Sequence, residues 1–138
     1  LLRRAASILD RCCLLAVHSG KVVGWLAKGA GVVLDDVQSF SARQDDPSVI
    51  RHAVGREGYW GPIPAGGIND SIKRILGDPA PDRIAIVPVQ VKNRVVAYLV
   101  GDAPASAVGE SERQQLVKAV QRAGIAFEIL IMKKKIVS

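Results

Sequence analysis

The sequence predicts an α+β fold on three stretches: hairpin patterns over residues 83–102 and 12–27, and a long amphipathic helix over residues 111–135. The first pattern reads RIAIVPVQVKNRVVAYLVGD. Ile84, Ile86, Val87, Val89 and Val91 on one arm, and Val95, Val96, Tyr98, Leu99 and Val100 on the other, are too continuously apolar for strands with one wet face. Both faces are therefore expected to be covered. Asn93 tolerates the left-handed backbone of a tight turn, and Pro88, lacking an N–H, suits a bulge or a locally unpaired position.

From the N-terminus, residues 1–10 read as a helical fragment with Leu2, Ala5, Ala6 and Leu9 on one stripe. Residues 12–18 and 22–27 are strand-like and meet at Ser19-Gly20, a dipeptide suited to a two-residue turn. Gly29, Gly31 and Asp35-Asp36 mark a mobile or turning connection before a short strand expected over residues 37–42. Asp45-Asp46-Pro47 then announces a short helix with Val49, Ile50, Ala53 and Val54 facing inward, ended by Gly55 or Gly58. Residues 59–67, rich in Gly and Pro, read as a structured loop. A further short helix over residues 69–76 buries Ile68, Ile72, Ile75 and Leu76 and stops at Gly77. After the central hairpin comes a small-residue loop, then the long helix, where Ser111 and Gln114 have capping-box spacing.

Composition narrows the function classes. A chain of 138 residues, 49% hydrophobic and 23% charged, suits one globular domain spanning residues 1–138. Lacking an initiating Met, it reads as a piece of a longer multidomain protein. No apolar run approaches the roughly 18 residues that span a membrane, and no signal peptide is evident. Of the net charge of +6, half comes from Lys133, Lys134 and Lys135, and aromatics make up only 4%. A nucleic-acid surface combines a basic stripe with stacking aromatics, so neither nucleic acid nor membrane is expected as a partner. The lysines suit the negative pole of a helix end. Cys12 and Cys13 are adjacent, and as strand residues they point to opposite faces. Without nearby histidines they cannot build a metal site, and as reduced buried thiols they fit a cytoplasmic protein.

A search for chemistry finds neither a phosphate-binding loop nor a nucleophile elbow, and His18 and His52 lack an obvious nucleophile and orienting acid. Asp35-Asp36 and Asp45-Asp46 read as caps. No enzymatic activity, cofactor or metal is expected. The residues best suited to a small-molecule pocket are Trp25, His52, Tyr59, Trp60, Ile63 and Tyr98, with Arg43 as an anchor for an anionic ligand. Each has a structural alternative: Trp25 and Tyr98 as core or helix-covering residues, His52 and Arg43 as solvated groups, Tyr59 and Trp60 as rings pinning their loop.

The order helix, hairpin, short strand, two short helices with an irregular loop, hairpin, long helix resembles a GAF domain, a sensory and regulatory module. IVPVQVKNRVVAYLVGD followed by SERQQLVKAVQRAGIAFE is similar to that family's closing strands and helix, and LLAVHSGKVVGWLAKG looks like its first hairpin. The resemblance implies an antiparallel sheet of five or six strands. It places the terminal helices on one face and the short helices and loops, with any pocket, on the other. It also implies a non-catalytic role in signal transduction, through ligand binding, dimerisation or both. Three functional subclasses are not supported. Bilin attachment needs a cysteine beside the pocket, the cyclic-nucleotide set of Asn-Lys, Phe and Asp-Glu is missing around Lys92-Asn93, and methionine-sulfoxide reduction needs separated cysteines. The alternative is a ligand-free assembly module with a filled core.

The closing helix carries two stripes. Leu116, Val120, Ala123, Phe127 and Leu130 suit the sheet, while Ile125, Ile129, Met132 and Ile136 recur on another side. One sheet cannot bury both. The second stripe, with Leu2 and Leu9, is therefore expected to form a homodimer interface through the terminal helices, the alternative being cover by the N-terminal helix alone.

Overall fold

The computed structural model describes residues 5–6, 8–9, 11–29, 31–45, 49–53, 58–77, 80–103 and 109–137, without the side chains of residues 49 and 127–137. Six strands form one antiparallel sheet: β1 Arg11–His18, β2 Lys21–Gly29, β3 Ser41–Arg43, β4 Tyr59–Pro62, β5 Arg83–Val91 and β6 Arg94–Asp102. Their spatial order is β3-β2-β1-β6-β5-β4. Both expected hairpins form. Ser19 and Gly20 (φ 51° and 78°) and Lys92 and Asn93 (φ 51° and 65°) supply paired left-handed residues, the turn geometry that matches strand twist. Pro88 faces Tyr98, one residue before a register shift between Val89 and Gln90 and beyond the last β4 partner of β5 at Ile86.

The sheet is covered on both sides, as the continuous apolar runs require. Alternation sends Cys13, Leu15, Ile84, Ile86, Tyr98 and Val100 to one face. Cys12, Leu14, Ala85, Val87, Val89 and Leu99 go to the other. The first face carries the short elements: helix α1 Leu34–Gln38, a single 3-10 turn Val49–His52, and helix α2 Gly67–Ile75, which contribute Val37, Ile50, Ile72 and Ile75. Against the second lie Ala5, Leu9 and helix α3 Glu110–Val137, whose Leu116 and Val120 are buried. Each fully buried Leu or Ile contributes roughly 1.5–3 kcal/mol.

Four local expectations are corrected. The strand expected over residues 37–42 starts only at Ser41, because Leu34–Gln38 is helical and turns Val37 fully into the core. Gly24 permits this: a Cβ there would overlap the Val37 carbonyl, so only glycine lets α1 lie flat on β2. Tyr59–Pro62 is an edge strand rather than loop. The helix after Asp45 is one 3-10 turn, burying Ile50 and Ala53, while Asp46, Pro47, Val54 and Gly55 lie outside the described residues. At the start of α3 the capping frame sits two residues earlier than Ser111. The Gly109 N–H donates to Glu112 Oε2 (3.1 Å), and Gly109 O accepts from Arg113 N–H (3.0 Å).

At one end of the sheet Arg11, nine-tenths buried, donates to Asp102 Oδ2 from NH2 at 2.8 Å and Nε at 3.3 Å. This ties the start of β1 to the end of β6. At the other end of β5, Gly124 brings α3 so close that a Cβ there would lie 2.6 Å from the Gln90 carbonyl oxygen.

Candidate functional site

The short-helix face holds several of the residues expected around a pocket. Tyr98 is buried in β6, and its hydroxyl accepts a hydrogen bond from Gln44 Nε2 at 3.0 Å. Tyr59, half-buried, projects from β4 onto the same face and donates its hydroxyl to the Pro62 carbonyl. Ile63 is buried beside it, and the exposed His52 ring stands 6.2 Å from the Tyr59 ring at 40°. These four therefore share one face, and Tyr98 and Ile63 are packed core.

The other three lie elsewhere. Trp60 alternates to the terminal-helix face, where the Arg113 guanidinium sits 5.1 Å from its ring centroid. Together they border a shallow groove of about 230 Å³ along α3. Trp25 falls at a bulge, since Leu14 faces Leu26 and Leu15 faces Gly24, and is 40% exposed. Leu26, Val33 and Leu34 are also exposed near it. Arg43 ends β3 at the rim and forms an exposed ion pair with Asp45 (3.6 Å). Both border a depression of about 440 Å³ beside the Ser19-Gly20 turn.

Of the interface residues, Leu9 is fully buried against the sheet and Ile125 is 62% exposed. Leu2 and the side chains of Ile129, Met132 and Ile136 lie outside the described residues.

A groove that the sequence did not signal lies between α1, β3 and α2. Its volume of about 410 Å³ falls within the roughly 300–1,000 Å³ usual for small-molecule sites. Phe40 and Ile75, both buried, form an apolar floor, and Asp36, Ser39, Ser41, Ser71 and Arg74 supply the polar lining. Ser39 Oγ donates to the Asp35 carbonyl (2.9 Å), and Arg74 NH2 donates to Ser71 Oγ (3.4 Å). Among the described residues no ion pair joins Asp36 to Arg74, so opposite charges border one apolar-floored groove.

The two thiols are buried on opposite faces and unreactive by environment. Burial pushes Cys12 up to about 11, against a smaller opposing effect from Lys28. Cys13 is raised further, first by burial and then by neighbouring Cys12. Among the described residues no cluster of three or more His, Cys, Asp or Glu could hold a metal, and no helix is long and apolar enough to cross a membrane.

Strand order and the division of the two faces decide the fold: the chain has the GAF fold. It is similar to the second GAF domain of DevS from Mycobacterium smegmatis, with a TM-score of 0.72 at 13% identity, covering 98% of this chain and 93% of that one. The GAF domain of a phosphoenolpyruvate-protein phosphotransferase (ptsP) from Coxiella burnetii matches with a TM-score of 0.74 at 13% identity, over 97% and 82%. A domain assigned to a two-component sensor histidine kinase of Sinorhizobium meliloti 1021 matches with 0.72 at 12%, over 99% and 92%. No family model and no curated protein matches the sequence.

Proposed function

We propose that this chain is a non-catalytic regulatory domain of a multidomain cytoplasmic signalling protein, which binds a small molecule on its short-helix face and pairs with a second copy through its terminal helices. The observation that carries the reading is the division of labour across the sheet. One face bears short elements around a polar-lined groove, and the other bears the residues before β1 and helix α3. A ligand bridging α1 and α2 would bias the packing of the strands they cover. β1 and β6 pair at the centre of the sheet and present residues to both faces, and the Arg11–Asp102 pair ties their ends together on the short-helix side. Similar folds occur in a domain assigned to a two-component sensor histidine kinase and in the GAF domain of a phosphoenolpyruvate-protein phosphotransferase, which supports a sensory or regulatory role. The exposed Ile125 and the apolar sequence repeat beyond it support pairing through α3.

One test is thermal denaturation across a metabolite panel, since a ligand bound only by the folded state raises the midpoint. A stabilising compound supports the sensing role, and a panel without one removes it. Pairing is tested by light scattering. Ile129→Glu with Met132→Glu should convert a dimer to a folded monomer, whereas a wild type monomeric at high micromolar concentration contradicts pairing.

A second reading, a ligand-free assembly module, is favoured by a different observation. Tyr98 and Ile63 are packed core, and Trp25, Leu26, Val33 and Leu34 expose apolar surface near the β2 edge.

A further inference from the structure

We infer that the groove between α1 and α2 is a site for a free α-amino acid with an apolar side chain. This rests on the small-molecule reading of the short-helix face and names the ligand class. The groove joins three features that such a molecule needs together. Arg74, in the last turn of α2, presents a planar guanidinium able to hold a carboxylate through two parallel N–H donors. Ser71 Oγ accepts one Arg74 N–H, so its own hydroxyl hydrogen is available to a carboxylate oxygen. Asp36, on α1, presents the opposite charge to an ammonium. Ser39 beside it directs its hydroxyl hydrogen to the Asp35 carbonyl, leaving lone pairs that accept from the same ammonium. Between the charged walls, Phe40 and Ile75 form an apolar floor for a side chain.

Charge pattern decides the class. A simple anion would leave Asp36 repelling it, and a simple amine would leave Arg74 doing the same. A zwitterion carrying both groups satisfies both, a free α-amino acid with an apolar side chain being the simplest, and because no ion pair joins Asp36 to Arg74, no such pair has to be broken first. Charge-assisted hydrogen bonds at both ends make the pattern selective: blocking either end of the ligand forfeits one of them.

The experiment is a thermal-shift screen followed by calorimetric titration, using the common α-amino acids and their N-acetyl and amide derivatives at millimolar concentration. Asp36 and Arg74 are both exposed, so Asp36→Asn and Arg74→Gln are expected to fold, with circular dichroism as the check. The expected result is that at least one apolar amino acid raises the midpoint, that its N-acetyl and amide forms do not, and that each variant weakens binding by at least about tenfold. The inference is overturned if no free amino acid binds, if a blocked form binds equally well, or if Arg74→Gln binds unchanged. A metabolite without this charge pair that stabilises wild type and Arg74→Gln alike would overturn this site while sparing the small-molecule reading. Silence from both panels removes both.

Discussion

Replacing Gly124 with alanine should destabilise the protein, although helix propensity argues for the reverse. In a helix interior alanine is favoured over glycine by about 1 kcal/mol, so at an exposed position the change would stabilise. Gly124 is buried against β5, and the added methyl carbon would lie 2.6 Å from the Gln90 carbonyl oxygen. Even a favourable C–H···O approach keeps carbon and oxygen about 3.3 Å or more apart. The obstacle is backbone on both sides, so no rotamer change relieves it. Either α3 lifts by roughly 0.7 Å, loosening Leu116 and Val120, or the strand end shifts. Overpacking of this kind costs about 1–3 kcal/mol, and subtracting the propensity gain leaves about 0–2 kcal/mol of net destabilisation. For a domain of this size that lowers the melting midpoint by up to roughly 8 °C. Urea denaturation measures the same quantity independently of temperature. A Gly124→Ala protein more stable than wild type by about 1 kcal/mol would refute the close contact between α3 and β5.

Three other outcomes follow from the same structure. Removing one member of the buried Arg11–Asp102 pair strands a charge, so Asp102→Ala should cost about 3–5 kcal/mol in chemical denaturation, whereas Arg11→Met with Asp102→Leu should cost less; equal losses would contradict the burial. Tyr98→Phe removes the acceptor for Gln44 Nε2 and should cost about 1 kcal/mol, and a neutral result would show that the bond contributes nothing. The raised thiol pKa of Cys12 sets a pH window, because a group that ionises later when folded stabilises below its unfolded pKa and loses that contribution as pH climbs through the folded one. Stability should therefore fall between about 9 and 11, more weakly in Cys12→Ala, and native thiols should label with a disulfide reagent only as the protein unfolds; rapid labelling at pH 8 would contradict their burial.

The hairpins were legible because their signals are local. Continuous β-branched runs dictate two covered faces, and Ser19-Gly20 and Lys92-Asn93 sit where a tight turn must go. Helix α1 was not, because Asp35-Asp36 reads equally as a turn. What makes those residues helical is a distant contact, the bare Cα of Gly24 beneath Val37. Strand β4 was hidden by Gly61 and Pro62. Ile63 N–H donates inward to Asp82 O, so alternation turns the Pro62 nitrogen to the open edge, where a missing N–H costs little. The same alternation parts Tyr59 from Trp60, which adjacency in sequence had suggested would act together. Asp36 and Arg74 carried no signal at all. They line one groove only because residues 34–38 are helical, and in the sequence Asp36 read as a cap.

Hydrogen–deuterium exchange with and without a stabilising small molecule tests the sensing role most directly. The account predicts slower exchange in α1 and α2, where the ligand sits, together with a changed rate in α3 across the sheet. Protection confined to α1 and α2, with α3 unchanged at saturating ligand, would contradict a domain that passes a binding event to its terminal helices.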